Sequence, residues 1–433
     1  MSIRDIAVLA RKASLKLAGI SGEVKNKALR AINEALIDNQ NAIITANKKD
    51  LKKAKEQNIG KPLLKRLKFD GLKIRTVCDG IDSLIELPDP LGKTLHALEL
   101  DSGLELYKVS CPIGVIGVIF ESRPDALVQI STLCLKSGNA VLLKGGREAL
   151  ETNRVLAQII SESSEQAGLP KGWLGLLETR SDVAEILDLD NYIDLIIPRG
   201  SNRFVKYIMN NTTIPVLGHS SGICHVYVDS AADLEIAVKI AVDSKCQYVA
   251  ACNAMETLLV HKDVANEFLP KLIKSLKQWD VEVRGCKRTQ TIIDCSPATE
   301  ADWKTEYLDY ILSIGIVDSV DEAIAHINRY GSGHTDSIVT NNKSTAEKFM
   351  NLVDSADVFL NCSTRFSDGY RYGLGAEVGI STNKIHARGP VGMEGLLSYK
   401  WKMLGSGQIV SDYSGSNGKK FTHKTLNRNF YLK

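Results

Sequence analysis

Several features that would place this chain at once are missing from it. No apolar run approaches the roughly 18 residues that a membrane-spanning helix needs, so no membrane segment is expected. The segment Met1-Ser-Ile-Arg-Asp-Ile-Ala7 carries charge within its first turn and lacks an apolar stretch. That argues against a secretory signal and for a cytoplasmic protein. The formal net charge is only +3, too small to point to a nucleic-acid partner yet compatible with anionic small substrates. The 9 cysteines are scattered and odd in number, with no Cys-x-x-Cys pair and no Cys/His cluster. They read as reduced thiols rather than a disulfide framework, and no metal site is expected. Internal repeats and low-complexity blocks are also absent.

What remains is ordinary globular composition: 433 residues, 44% hydrophobic and 24% charged, enough for two or three domains with sizeable cores. Residues 3–57 read as helical, with Ile6, Leu9, Ala13 and Leu17 at helical spacing. The lysine-rich run Asn47–Lys55 reads as a solvated helix face. Leu98, Leu100, Leu104, Leu106 and Val109 alternate around Asp101-Ser102-Gly103 and predict a β-hairpin. Pattern alone leaves open whether it packs on its own domain or reaches another subunit.

From 113 to 217, strands are expected at Val115–Phe120, Ala140–Lys144, Leu174–Leu177, Ile193–Ile197 and Ile214–Leu217. Helices start near Pro124, Arg147, Asp182 and Asn202, so the pattern implies a parallel sheet covered on both faces. A second series places strands at 224–229, 256–260, 311–317, 335–340 and 357–361, with helices at 231–247, 263–278, 320–329 and 343–352. The Gly/Ser-rich, basic end beyond Gly405 is expected to be mobile or docked on a partner.

Two strand-to-helix turns suit phosphate: Lys144-Gly145-Gly146-Arg147 and Pro198-Arg199-Gly200-Ser201-Asn202. Helix N-termini offer backbone N–H groups and a positive dipole end to anions. Neither turn matches a dinucleotide or nucleoside-triphosphate fingerprint. Cys78, Cys134 and Cys286 read as small buried hydrophobes. Cys252 differs, because it joins a helix to a strand and is flanked by Ala250, Ala251 and Asn253, which would let a substrate approach. The nearby stretch Ile214–Gly222 offers no carboxylate as a general base.

Longer stretches carry a resemblance. Pro112–Phe120 and Asn139–Gly146 resemble the cofactor half of the aldehyde dehydrogenase superfamily. Ile193–Gly200, Ile214–His219, Gly222–Asp229, Cys252–Leu259, Ser363–Gly369, Gly373–Glu377 and Lys384–Pro390 narrow this, over residues 3–411, to its γ-glutamyl phosphate reductase branch. The resemblance implies an aldehyde dehydrogenase-like α/β fold. Its parts would be a Rossmann-type NADP-binding domain (1–93 and 112–218), a second α/β catalytic domain (219–391), a β-hairpin oligomerisation arm (94–111 with 392–412) and a basic tail (413–433).

It also implies NADPH-dependent reduction of γ-glutamyl phosphate to glutamate-5-semialdehyde in proline biosynthesis, by a homo-oligomer. The glutamate 5-kinase that makes the substrate would be a separate protein, since nothing of kinase size precedes residue 113. Cys252 falls at the nucleophile, with Asn253 beside it. Lys144 and Gly145, then Arg199, Gly200 and Ser201, fall at the cofactor, and Glu306 at the nicotinamide ribose. Arg365 and Arg388 are candidates for the substrate carboxylate, which arginine binds bidentately.

Ser122 or Arg123 falls where the superfamily offers an amide to the oxyanion, and the backbone N–H of Cys252 is a further donor. Tyr248-Val-Ala-Ala251 departs from the Arg-Pro or Tyr-Pro that usually precedes the nucleophile. Val216–His219 lacks the water-activating glutamate of common aldehyde dehydrogenases, which disfavours a hydrolytic enzyme. A non-catalytic relative and a nucleic-acid binder are weaker rivals.

Overall fold

The computed structural model describes residues 2–121, 123–218, 221–374 and 377–431. Five helices come first: α1 (Ile3–Leu17), α2 (Gly22–Asp38), α3 (Gln40–Glu56), α4 (Lys61–Leu67) and α5 (Gly71–Glu86). Their starts follow from local chemistry. Ser2 and Asp5 form a reciprocal capping box on α1, and Ser21 and Asp70 accept from backbone N–H groups at the starts of α2 and α5. The lysines at 48, 49, 52, 53 and 55 lie on the exposed side of α3, while Asn47 and Asp50 are buried.

The hairpin β1 (Thr94–Asp101) and β2 (Leu104–Pro112) turns at Gly103, whose φ of 72° suits glycine. The first alternating series is β3 (Val115–Ile119), α6 (Pro124–Lys136), β4 (Ala140–Lys144), α7 (Leu150–Gln166), β5 (Leu174–Leu177), α8 (Arg180–Leu187), β6 (Leu195–Pro198) and α9 (Asn202–Asn210). These strands form a parallel sheet in the order β5-β4-β3-β6. Every residue of β3, β4 and β6 is buried, as strands covered on both faces require. The expected strand Ile214–Leu217 reduces to one bridge, Val216 to Ile196, next to Pro215, which has no N–H to continue a ladder.

The second series is β7 (Cys224–Val228), α10 (Leu234–Cys246), β8 (Met255–His261), α11 (Lys262–Leu276), β9 (Glu282–Gly285), α12 (Lys287–Gln290), β10 (Ser296–Pro297), β11 (Ile311–Val317), α13 (Val320–Tyr330), β12 (Thr335–Val339), α14 (Lys343–Leu352) and β13 (Asp357–Leu360). Its seven strands are parallel, in the order β10-β9-β11-β8-β7-β12-β13. The two sheets carry separate apolar cores.

A short antiparallel pair, β14 (Gly379–Ser381) and β15 (Gly389–Val391), precedes β16 (Leu397–Leu404) and β17 (Lys424–Thr425). β16 pairs with β2 from Glu105 to Pro112, and β17 pairs with β1. The end of the chain, expected to be mobile or docked on a partner, here rests on its own hairpin. Leu426 N–H donates to the Ala97 carbonyl at 2.9 Å, and the Phe430 ring stands edge-on to Tyr107 with centroids 5.4 Å apart. Tyr413 donates to Asp101 at 2.8 Å, and Arg428 pairs with Glu105. Among the described residues, no helix is long and apolar enough to cross a membrane.

Candidate active site

A cleft of about 820 Å³ opens where the two parallel sheets meet. One wall comes from the C-terminal ends of β3 and β6: Phe120, Glu121, Arg123 and Arg199–Arg203. The other comes from segments at the N-terminal ends of β8 and β11, Tyr248–Asn253 and Glu306–Leu308, and from the turn after β13. Five arginines, at 66, 123, 199, 203 and 365, outnumber the four acids Glu121, Glu306, Asp368 and Glu377 along the lining. Two of these arginines are already paired, Arg66 with Glu121 and Arg123 with Asp125.

Cys252 sits half-buried in the loop that links α10 to β8. Its position is fixed from three sides. The Cys224 thiol, at the start of the neighbouring β7, donates to the Cys252 carbonyl at 3.2 Å. Asn253 is buried, its Nδ2 donating to the Ser367 carbonyl at 2.6 Å, while its own carbonyl accepts from Thr364 at 2.7 Å. Asn253 thus anchors the nucleophile loop. Gly222 passes so close that a Cβ there would lie 2.1 Å from the Cys252 carbonyl oxygen.

The thiol does have a nitrogen base beside it. His334, just ahead of β12 and fully buried, places Nε2 3.2 Å from Cys252 Sγ. Because β7 lies between β8 and β12, residues that precede these strands share one sheet edge. The expectation of a nucleophile without a nearby base considered only the Ile214–Gly222 stretch and missed this contact. Gly331-Ser-Gly-His334 is a helix-to-strand junction like that of Cys252, and the same reasoning would have flagged it. Burial, aided by the charges of Glu306 and Glu377, pushes the Cys252 thiol up to about 12. Its own backbone N–H and the Arg365 charge pull the other way.

Glu306 accepts from Asn202 Nδ2 at 2.7 Å, which links the 306–308 loop to the start of α9. The loop is tied to the nucleophile's strand as well. Glu256, on β8, accepts from the Leu308 N–H at 3.1 Å and from Lys245 at 2.5 Å in a buried ion pair. Glu377 accepts from the Gly369 N–H at 2.8 Å, and burial raises its carboxyl. The resemblance covers Glu377 without giving it a role.

The two basic turns fare differently. Arg199, Gly200 and Ser201 line the cleft together with Asn202 and Arg203 at the start of α9, where Ser201 makes no side-chain capping bond. Burial lowers the Arg199 guanidinium, opposed by the Glu377 charge. At the other turn a 3₁₀ segment, Arg147–Ala149, precedes α7. The α7 N–H groups of Glu151 and Thr152, and the Thr152 hydroxyl, donate to Asp50 of α3 at 3.2, 2.8 and 2.6 Å. A carboxylate of the chain itself therefore already fills the anion position expected at that helix start. Lys144 ends β4 beside the end of β3 and Gly145 follows it, but neither is among the cleft-lining residues, and the Lys144 ammonium bonds the Gly145 carbonyl.

Of the two arginines expected at the substrate carboxylate, Arg365 lines the cleft, and its Nε donates to Gln247 at 2.9 Å. Arg388 does not line it; its guanidinium is held by the Asp354 carbonyl at 3.0 Å and the Asp354 carboxylate at 3.2 Å. Arg123 lines the cleft and pairs with Asp125 at 3.0 Å, while Ser122 lies outside the described residues. Cys78 and Cys134 are buried and their thiols raised by burial. Cys286 departs from that reading: it is half-buried, and although burial raises its thiol, the Thr289 hydroxyl and backbone N–H groups bring it below the usual range.

Comparison with known proteins gives the family. The model of the aldehyde dehydrogenase family matches residues 10–293 and 283–375. The chain is 62% identical to a γ-glutamyl phosphate reductase of Acetivibrio thermocellus over 432 residues, which is 100% of both chains. It is 63% identical to one of Ruminiclostridium cellulolyticum over 428 residues, 99% of each chain. The crystal structure of a γ-glutamyl phosphate reductase from Thermotoga maritima superposes with a TM-score of 0.93 at 42% identity, covering 94% of this chain and 100% of that one.

Proposed function

The chain belongs to the γ-glutamyl phosphate reductase branch of the aldehyde dehydrogenase family, and from that membership we propose that it reduces γ-glutamyl phosphate to glutamate-5-semialdehyde with NADPH, releasing phosphate, in proline biosynthesis. The observation that carries this reading is Cys252, half-buried in a cleft whose lining arginines outnumber its acids. Cys252 attacks the γ-acyl carbon, phosphate leaves, and the acyl group stays on the enzyme as a thioester. A bound nicotinamide supplies the hydride. The thioester carbonyl needs a donor as it gains charge, and the Cys252 backbone N–H serves. Arg365 takes the substrate α-carboxylate, whereas Arg388 braces the segment around Asp354.

The residues at the cofactor end suit a dinucleotide. Arg199, Gly200 and Ser201 with the α9 N-terminus take its pyrophosphate, and Glu306 takes the nicotinamide ribose. Lys144, at the end of β4, is the residue assigned to the 2′-phosphate that separates NADP from NAD. The Lys144→Ala substitution is expected to lower the ratio of NADP to NAD efficiency, and an unchanged ratio would refute that assignment. The β1–β2–β16 sheet serves as the contact between subunits, and a separate kinase supplies the substrate.

The deciding assay runs the reaction backwards, measuring NADP reduction by glutamate-5-semialdehyde with and without phosphate. Phosphate dependence and its loss in Cys252→Ser are expected. Activity indifferent to phosphate would instead mark a hydrolytic aldehyde dehydrogenase, in which Glu306 or Glu377 activates water.

A further inference from the structure

A line of polar contacts runs from Cys252 into the second sheet. His334 Nε2 faces Cys252 Sγ at 3.2 Å, and its Nδ1 lies 2.7 Å from Thr335 Oγ1. The Thr335 hydroxyl donates to Asp357 Oδ2 at 3.5 Å. That carboxylate also accepts from Ser367 at 2.9 Å and, on Oδ1, from Tyr372 at 2.7 Å. A hydroxyl has one proton to give. Assigning that proton to Asp357 makes Thr335 Oγ1 an acceptor toward Nδ1, the tautomer in which Nδ1 carries the ring hydrogen and Nε2 presents its lone pair to the thiol.

We propose that His334 is the proton acceptor of Cys252, held in the required tautomer by Thr335 acting as a positioning residue, so that attack on the acyl phosphate comes from a thiolate–imidazolium pair. This rests on Cys252 being the nucleophile. The S–H bond breaks and its proton passes to Nε2. The sulfur lone pair forms the S–C bond, the C–O bond to phosphate breaks, and the departing phosphate takes up the proton. A reduced nicotinamide, which Glu306 and the Arg199–Ser201 turn would hold, would supply the hydride that converts the thioester to a hemithioacetal oxyanion. Its collapse breaks the S–C bond, frees the aldehyde and restores the thiolate. Nε2 regains one proton from water, the one that the net reaction consumes.

The surroundings show why such a partner is needed. Burial, Glu306 and Glu377 disfavour an isolated thiolate, whereas Arg365, the Cys252 N–H and the Arg199 charge favour it. Transfer to an adjacent imidazole creates a pair with no net charge, which burial penalises far less than a lone anion. Behind His334, Asp357 is raised by burial and opposed by its hydroxyl donors and the Arg388 charge.

The test is alkylation of Cys252 by iodoacetamide in the ligand-free protein, followed by peptide mass analysis from acid to alkaline pH. The wild type is expected to react about tenfold or more faster than His334→Asn at neutral pH, with its inflection at lower pH. Thr335→Val should fall between them, and Thr335→Ser should restore the wild-type profile. Coincident rates and inflections in wild type and His334→Asn would overturn the proposal. Should His334→Asn fail to fold, a Thr335→Val profile identical to wild type would do so. Reductase activity surviving full alkylation would sink the nucleophile itself. Activity lost on alkylation, with unchanged profiles in the variants, would sink only the role of His334.

Discussion

Cys252 works only if its loop can pass against a residue with no side chain. A Cβ on Gly222 would lie 2.5 Å from the Cys252 Cα as well as against its carbonyl oxygen. Gly222→Ala must therefore push the nucleophile aside, and kcat is expected to fall on the order of 10²-fold with dinucleotide affinity, read by fluorescence titration, unchanged. A second expectation concerns His326 on α13, packed edge-on against His225 and Trp303. Burial, with the His225 and Arg329 charges, holds it down to about 3, while in the unfolded chain it titrates near 6.5. A depressed pKa means stability present above about 6.5 and lost as pH falls toward the folded value. His326→Phe should remove roughly 1–2 kcal/mol of the loss between neutral and mildly acidic pH, a figure reduced for partial exposure, as read by urea unfolding. Cys252 could be read from the sequence because its small neighbours and helix-to-strand junction are local. His334 could not be paired with it, because their meeting depends on β12 lying one strand beyond β7.

At the scale of elements, the alternation of apolar strands and amphipathic helices was legible because periodicity is a local property, and the helix starts near Pro124 and Asn202 match α6 and α9. The capping of α7 was not, because the carboxylate comes from a helix about a hundred residues earlier. Asp50 accepts three hydrogen bonds there, and burial raises its carboxyl against their pull. Asp50→Ala leaves the α7 start without that acceptor and is expected to cost about 1–3 kcal/mol of stability, measured by urea denaturation. Asp50→Asn, which keeps an acceptor oxygen, should recover part of it.

Across the whole molecule, the β16 edge presents Tyr399, Trp401 and Met403 to solvent, with Trp401 52% exposed. Apolar side chains in a row on an open strand edge are the surface through which a second copy would pair. If the arm joins subunits, Trp401→Lys should yield smaller assemblies by sedimentation while the urea midpoint of the remaining fold stays near that of the wild type. An unchanged sedimentation coefficient would remove the arm from the interface. The hairpin could be read from its alternation, whereas the docked chain end could not: its Gly/Ser-rich composition looks like a loose tail, and its contacts are long-range.

That docking has a consequence for synthesis. β1 and β2 leave the ribosome before either parallel sheet exists, yet their partners β16 and β17 follow only after the entire second sheet has been made. The hairpin must wait with both flanks bare, so a chain cut short anywhere before β16 displays two open strand edges. The four-stranded sheet can therefore assemble only once β16 and β17 have been made.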